Sequence, residues 1–106
     1  MRSLRPVDKR ARLAVSGGVN RPPLERTPPV VRLYRQARVL ATELEIELRE
    51  SSTGGGSDGN LTAAAGIPTL DGLGGVGAGM HSPGEFVLVR QMPERAALLA
   101  GLLLTL

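Results

Sequence analysis

Hydrophobic residues recur every three or four positions from Thr27 to Leu44, which is the period of one face of an α-helix. The apolar positions are Val30, Leu33, Ala37, Leu40 and Leu44. Pro28 follows Thr27, whose hydroxyl can cap free N–H groups, and proline loses nothing at the first helical position. The spacing therefore predicts a helix over about residues 29–43.

The period of the pattern changes to two near Leu44. Apolar Leu44, Ile46 and Leu48 alternate with charged Glu43, Glu45, Glu47 and Arg49, which is the repeat of a half-buried strand. We therefore expect a strand at residues 46–50. The change occurs without the glycine that usually closes a helix, so the pattern does not fix the end of the helix to a single position.

Two further strands are predicted from short apolar segments. Leu13 and Val15 alternate with polar or small neighbours between residues 12 and 16, and residues 67–70 are apolar and flanked by glycine. The first segment predicts a half-buried strand, and the second predicts a buried one.

Two further helices are predicted from capping signals. Ser57 can cap a helix from Asp58 to Ala65 that Gly66 stops. The final helix opens at Pro93 and runs through the leucine-rich end. Strands that alternate with helices indicate an α/β fold, normally with parallel strands. We expect residues 46–50 and 67–70 to share one small sheet, with the helix at residues 29–43 and the final helix packed on it.

Composition limits the size of the core and the class of partner. The 106 residues allow one small domain, and only 2% of them are aromatic, so the core should be thin. Positive charge concentrates in residues 1–50, but no stacking aromatics or groove-directed helix accompany it, so we expect no nucleic-acid partner. Residues 1–11 have no periodic apolar pattern and are interpreted as a disordered leader.

The absence of cysteine and of long apolar segments bears on location. A chain without cysteine has neither disulfides nor thiolate metal sites, which favours the cytoplasm. No secretory signal is visible, and residues 96–106 are too short to span a bilayer, so we expect no membrane partner.

Three loops contain candidate chemistry. Residues 72–77 match the dinucleotide pattern G-x-G-x-x-G, but Pro83 and Gly84 follow too soon for the helix that this motif requires. Residues 53–60 have successive glycines before a helix start, which suits either an anion site or a flexible turn. His81, the single histidine, is either a structural residue or one metal ligand.

Taken together in order, these segments resemble the end of the dinuclear zinc peptidases that include glutamate carboxypeptidase, succinyl-diaminopimelate desuccinylase and aminoacylase. The similarity covers about residues 12–106. It lies in Asn20-Arg21-Pro22-Pro23, Thr53-Gly54-Gly55-Gly56-Ser57-Asp58-Gly59-Asn60, Gly66-Ile67-Pro68, Asp71-Gly72-Leu73-Gly74 and Gly79-Met80-His81-Ser82-Pro83-Gly84-Glu85.

This resemblance implies a fold and a domain organisation. The fold would be α/β, a partial catalytic domain of a zinc exopeptidase-like sandwich with a remnant of the inserted α+β lid domain. Residues 12–26 would be the last strand and return of the lid, which is a dimerisation domain in the family, and residues 27–106 the C-terminal part of the catalytic domain. The complete enzymes bind two zinc ions.

The resemblance also implies roles for individual residues. His81 matches a metal ligand, and Arg21 matches an arginine that binds the substrate carboxylate. Gly54, Gly55, Gly56 and Ser57 would border the substrate pocket and offer N–H groups. Glu85 is interpreted as a residue that supports the loop containing His81, with no further role assigned.

The family's upstream metal ligands and general base have no counterpart in this chain, so no catalytic residue is expected in it. We therefore expect the C-terminal part of a zinc-dependent amidohydrolase that acts beside a free carboxylate, inactive in isolation. The substrate of the parent enzyme would be a small peptide or an N-acyl amino acid. The alternative is a non-catalytic remnant that acts as an interaction module or as a homodimer through the lid strand.

Overall fold

The computed structural model describes residues 3–105, which contain three α-helices, a short 3-10 turn and one small sheet. In chain order the elements are α1 (Pro28–Glu43), α2 (Gly59–Ala64), β1 (Gly77–Ala78), β2 (Phe86–Val87), the 3-10 turn (Val89–Gln91) and α3 (Met92–Thr105). All three helices lie where the sequence predicts them, within one or two residues. No helix in the described part of the chain is long and apolar enough to cross a membrane.

Helix α1 begins at Pro28, as predicted, but not because the Thr27 hydroxyl caps it. Thr27 is extended, and its side chain makes no capping hydrogen bond. Pro28 and Pro29 occupy the first helical positions and have no N–H, so fewer free donors remain to be capped. The carbonyl of Thr27 accepts the first helical bond, from the N–H of Val31 at 2.9 Å.

The end of α1 is a left-handed turn at Glu45. Glu45 has a φ of 57°, its N–H donates to the carbonyl of Thr42 at 3.1 Å, and the N–H of Ile46 donates to the carbonyl of Ala41 at 2.8 Å. This pair of bonds is the Schellman motif, which normally has glycine at the left-handed position. The helix therefore ends without a glycine, at the cost of backbone strain at Glu45.

Helix α2 is closed at both ends by the residues that the sequence indicates. The N–H of Gly59 donates to the Ser57 hydroxyl at 3.1 Å, and the N–H of Ser57 donates to Oδ1 of Asn60 at 2.8 Å. These reciprocal bonds resemble a capping box. At the other end Gly66 has a φ of 83°, and the N–H of Ile67 donates to the carbonyl of Thr62 at 3.1 Å.

The core lies between α1 and α3, where small residues let the helices approach closely. Its buried hydrophobic members are Ala37, Ala41, Leu98 and Leu102. A Cβ placed on Gly101 would lie 2.6 Å from Cδ2 of Leu40, so only glycine fits there without a shift. The radius of gyration is 19.3 Å, against about 13 Å for a compact domain of this length. The core is thin, as the composition predicts.

The predicted common sheet is wrong. Residues 46–50 and 67–70 form no strands, and the sheet within residues 3–105 consists of β1 and β2 alone. These strands are antiparallel, with Gly77 opposite Val87, so the expected parallel arrangement is wrong as well. Helices and strands are nevertheless both present, which agrees with the broader α/β expectation.

The alternation at residues 46–50 is real, although no neighbouring strand pairs with it. Ile46 and Leu48 are partly buried against the core, while Glu47 and Arg49 are exposed. The hydroxyl of Tyr34 on α1 donates to the carbonyl of Leu48 at 3.1 Å. A period of two thus reports an extended chain with one buried face, and in this segment a helix rather than a sheet buries it.

The predicted strand at residues 12–16 is also absent. Residues 12–16 are irregular and exposed, and Leu13 and Val15 remain 49% and 47% accessible. No strand lies beside them within the described residues. Alternation over so few positions does not produce a strand without a partner.

We expect Glu45→Gly to stabilise the protein by about 1 kcal/mol, because glycine adopts the left-handed conformation without a Cβ clash. Urea unfolding followed by far-UV circular dichroism measures the change. Gln36→Gly, at an exposed position in the interior of α1, is the control and should destabilise by about 1 kcal/mol. Equal effects of the two substitutions would show that the turn at Glu45 is not strained.

Candidate functional site

A cleft with a volume of ≈ 1020 Å³ runs beside the first half of α1. One wall is the chain from residue 48 to residue 56, and the other is residues 69–73. Arg21 and the glycines at positions 54, 55 and 56 line it, so the structure places four of the predicted substrate-binding residues on one surface. Ser57 does not line the cleft, because its hydroxyl caps α2.

Arg21 is positioned by hydrogen bonds between its own segment and α2. The side-chain amide of Asn60 donates to the carbonyl of Pro22 at 2.9 Å, which ties the residue after Arg21 to the second helix. The Arg21 side chain then extends past Gly56, where an added Cβ would lie 3.6 Å from its Cδ. Nη2 of Arg21 lies 3.2 Å from Oδ1 of Asp58, and the arginine side chain is 43% exposed. A carboxylate therefore already occupies this guanidinium.

The glycine turn offers fewer free N–H groups than the sequence suggests. The N–H of Gly55 donates to the Thr53 hydroxyl at 3.3 Å, and the N–H of Ser57 is taken by Asn60. The first donors of α2 are bonded to Ser57 and Asp58. None of the glycines at positions 54 to 56 has a positive φ. The N–H groups at the start of α2 are therefore already bonded within the chain, and binding of an anion by Arg21 and the turn at residues 54–56 stays a prediction.

His81 lies in the loop that joins β1 and β2, outside the cleft. The hairpin needs glycine at its base, because a Cβ on Gly77 would overlap the carbonyl oxygen of Phe86. His81 has a φ of 65° and is exposed, and its backbone N–H donates to Oε2 of Glu85 at 3.3 Å. Glu85 thus supports the loop.

The residues present do not make a zinc site. Catalytic zinc requires about three protein ligands, and within residues 3–105 no three histidine, cysteine, aspartate or glutamate side chains converge. The Glu85 carboxylate is oriented toward the backbone of His81 rather than toward a shared ion. His81 as a metal ligand stays a prediction, and among residues 3–105 no two further metal-binding side chains converge on it.

A comparison with protein-family models decides the relationship. The model described as Peptidase family M20/M25/M40 matches residues 12–105. The chain belongs to the M20/M25/M40 peptidase family. No curated protein and no solved structure matches it. The family match confirms the resemblance predicted for about residues 12–106, and it relates the chain to metallopeptidases.

Arg95 positions part of the cleft, and this role is not among those predicted from the sequence. It is 9% exposed, on the face of α3 that also buries Leu98 and Leu102. Its Nε donates to the carbonyls of Leu73 and Gly74 at 3.2 and 2.9 Å, and its Nη2 donates to that of Gly72 at 2.9 Å. The signal was available, because an arginine three and seven positions before buried leucines lies on the apolar stripe.

The same bonds explain the glycine motif at residues 72–77. Its first half provides the carbonyls that Arg95 binds, and Gly77 lies in β1 rather than at the start of a helix. Because Gly72 and Leu73 also line the cleft, Arg95 holds one wall of it from behind. In this chain the motif provides carbonyl acceptors for Arg95, and it lacks the helix start that a pyrophosphate site requires.

A bidentate ion pair between Arg26 and Glu50 lies at the cleft wall that residues 48–56 form. Nε and Nη2 of Arg26 donate to Oε2 and Oε1 of Glu50 at 2.8 and 2.9 Å. These hydrogen bonds hold the pKa of Glu50 below its ordinary range and raise the pKa of Arg26. The pair joins the entry of α1 to the end of residues 46–50, across 24 positions of sequence.

Arg95→Met should loosen residues 72–74 and destabilise the protein by about 1–3 kcal/mol, since three carbonyls lose their donor. Arg95→Lys should recover only part of this, because an ammonium cannot reach three carbonyls in the plane of a guanidinium. Urea unfolding, with amide exchange at residues 72–75, measures both effects. Arg90→Met, at an exposed position of the preceding turn, is the control. An effect of Arg95→Met no larger than the control's would exclude this role.

The Arg26–Glu50 pair predicts a pH dependence in the acid range. The folded pKa of Glu50 is lowered, so the stability from this pair is present above the unfolded pKa and is lost as the pH falls through the folded one. Arg26→Gln should return the Glu50 pKa to its ordinary range and remove that part of the acid loss. Carboxyl-detected NMR titration measures the pKa of Glu50 in both proteins. An unchanged Glu50 pKa in Arg26→Gln would show that the pair does not form in solution.

Proposed function

We propose that the chain is the C-terminal part of the catalytic domain of a zinc-dependent, glutamate carboxypeptidase-like hydrolase that cleaves an amide beside a free carboxylate. Residues 12–26 belong to the return of the lid and residues 27–106 to the catalytic domain. The chain contributes the carboxylate-binding part of the site and hydrolyses nothing by itself. The family match over residues 12–105 supports this relationship.

The observation that carries the proposal is the position of Arg21 on the cleft. Its guanidinium holds the Asp58 carboxylate at 3.2 Å next to the glycine turn. Asp58 is 91% exposed, and an exposed ion pair contributes little free energy. A substrate carboxylate that enters the cleft can therefore displace Asp58 and accept hydrogen bonds from two N–H groups of the planar Arg21 guanidinium.

The same geometry separates binding from catalysis. Hydrolysis at neutral pH in this family of reactions needs a metal-activated water and a general base. Residues 3–105 provide neither a three-ligand cluster nor an acidic side chain placed beside one. His81 supplies at most one ligand, and no chemical step is assigned to this chain.

The partners of the complete enzyme follow from the carboxylate subsite. A small peptide or an N-acyl amino acid has a terminal carboxylate adjacent to an amide, which Arg21 and the turn at residues 54–56 would bind. We propose the cytoplasm as the location, because a chain without cysteine suits a reducing compartment.

We expect N-acetyl-L-glutamate to bind the cleft weakly and Asp58→Asn to tighten binding about three- to tenfold, because the internal carboxylate no longer competes. Arg21→Gln should weaken binding by about tenfold, from the loss of a charged hydrogen bond that is partly exposed to water. NMR chemical-shift titration gives the dissociation constants and shows which residues shift. Arg35→Gln, an exposed arginine on α1 that does not line the cleft, is the matched control.

Two results would contradict the proposal. Equal changes in the dissociation constant of N-acetyl-L-glutamate for Arg21→Gln and Arg35→Gln would remove Arg21 from the site. Zinc titration, together with an assay on N-acyl amino acids, tests the proposal that this chain hydrolyses nothing by itself. A submicromolar zinc affinity that His81→Ala abolishes, or any metal-dependent turnover by this chain, would show that the ligands are more complete than the structure indicates.

A further inference from the structure

The side of the cleft that α1 forms is apolar. Val30, Val31 and Tyr34 lie within one turn of the helix, and all three line the cleft. The two walls add three leucines that also pack against the core, namely Leu48, Leu70 and Leu73. All six side chains are partly buried, so each still has apolar surface that a ligand can cover.

The polar atom of Tyr34 is already bonded within the chain. Its hydroxyl donates to the carbonyl of Leu48 at 3.1 Å, which ties α1 to one wall of the cleft. Because the hydroxyl has this partner, the ring is the part of Tyr34 that remains for contact with a ligand. An aromatic ring contributes a large apolar area to such a contact.

The arginines of the cleft differ in how firmly their carboxylate partners are held. Arg26 donates two bonds to Glu50, at 2.8 and 2.9 Å, and Nε of Arg49 donates to Glu47 at 2.7 Å. Arg21 contacts an exposed carboxylate at 3.2 Å through one nitrogen. A ligand carboxylate therefore displaces the partner of Arg21 more easily than the partners of the other two arginines.

The cleft is larger than a carboxylate and an adjacent amide require. Its volume of ≈ 1020 Å³ is at the upper end of the roughly 300–1,000 Å³ that hold whole small-molecule ligands. Arg21 lies beside Gly56, and the wall continues from Gly56 back to Leu48. A ligand with its carboxylate at Arg21 therefore has room to extend along the apolar side.

We propose that the cleft binds an aliphatic acyl group along Val30, Val31 and Tyr34 while the carboxylate of the same ligand lies at Arg21. This inference rests on the proposed function, which places the carboxylate. In an N-acyl amino acid the acyl group lies across the amide from the carboxylate, so it extends away from Arg21. The ligand class is therefore an N-acyl amino acid whose linear acyl group is longer than acetyl.

NMR chemical-shift titration with N-acetyl-, N-butanoyl- and N-hexanoylglycine tests this inference. The open cleft removes part of each CH₂ group from water, so the dissociation constant should fall about twofold per added CH₂, or about sixteenfold from acetyl to hexanoyl. The shifts that grow with chain length should lie at Val30, Val31 and Tyr34. The constants should be the same at two concentrations of the protein.

Two substitutions of Val31 change the apolar side in different ways. Val31→Asn places a polar amide under the acyl group, and Val31→Phe fills the space that the group would occupy. Both should remove the gain from acetyl to hexanoyl and leave the binding of N-acetylglycine unchanged, with α1 intact by circular dichroism. Val39→Asn is the matched control and should keep the full gain, because Val39 is also on α1 but is 62% exposed and does not line the cleft.

The primary amides of the same ligands, which have no carboxylate, separate this inference from the proposed function. If the carboxylate subsite is wrong, acids and amides should bind equally and Arg21→Gln should have no effect, while the gain with chain length remains. If the apolar subsite is wrong, N-acetyl- and N-hexanoylglycine should bind equally, and Arg21→Gln should weaken both about tenfold.

Four results would overturn the apolar subsite. The first is an equal dissociation constant across the acyl series, and the second is a gain that survives both Val31 substitutions. The third is shifts that grow at Leu103, which is 84% exposed on α3, rather than at Val31. The fourth is a dissociation constant that changes with protein concentration, because a second copy of the chain would then cover the cleft.

Discussion

The close approach of α1 and α3 is the contact on which the remaining structure depends. Ala37 and Ala41 on one helix meet Leu98 and Leu102 on the other, and Gly101 leaves room for Leu40. Small residues bring the helix axes together, but they also bury little area. Within residues 3–105 four hydrophobic side chains are buried, which is too few for the helix pair alone to order the rest of this part of the chain.

Individual polar contacts therefore position the irregular segments. Tyr34 binds the carbonyl of Leu48, Asn60 binds that of Pro22, and Arg95 binds three carbonyls of the turn at residues 72–74. Each contact joins an extended segment to a helix over a long stretch of sequence. The cleft is a consequence of this arrangement, since its walls are segments that side chains hold apart rather than strands that pair.

The helices could be predicted from the sequence and the sheet could not, for one physical reason. A helix satisfies its own backbone, so the period of apolar residues, a proline near the helix start and the glycine after α2 are local signals that the sequence contains. A strand needs a partner, and alternation at residues 46–50 reports only which side chains are buried. Motif order predicts a site at Arg21, and Arg21 lines the cleft. The apolar stripe of α3 indicates that Arg95 is buried, but not which carbonyls, 21 to 23 positions away in sequence, it binds. The N–H groups near the start of α2 are not free, because the side chain of Asn60 accepts the N–H of Ser57 and the hydroxyl of Ser57 accepts the N–H of Gly59.

The bonds of Arg95 have a consequence for the order in which the protein acquires its shape during synthesis. Residues 72–74 leave the ribosome before the arginine that holds them, and α1 leaves it before the leucines that cover Ala41. Domains generally fold as units while the chain emerges, and exposed apolar surface is a target for chaperones and for aggregation in the interval. Maturation of the cleft wall and closure of the core are thus one event, and both wait for translation of the last helix.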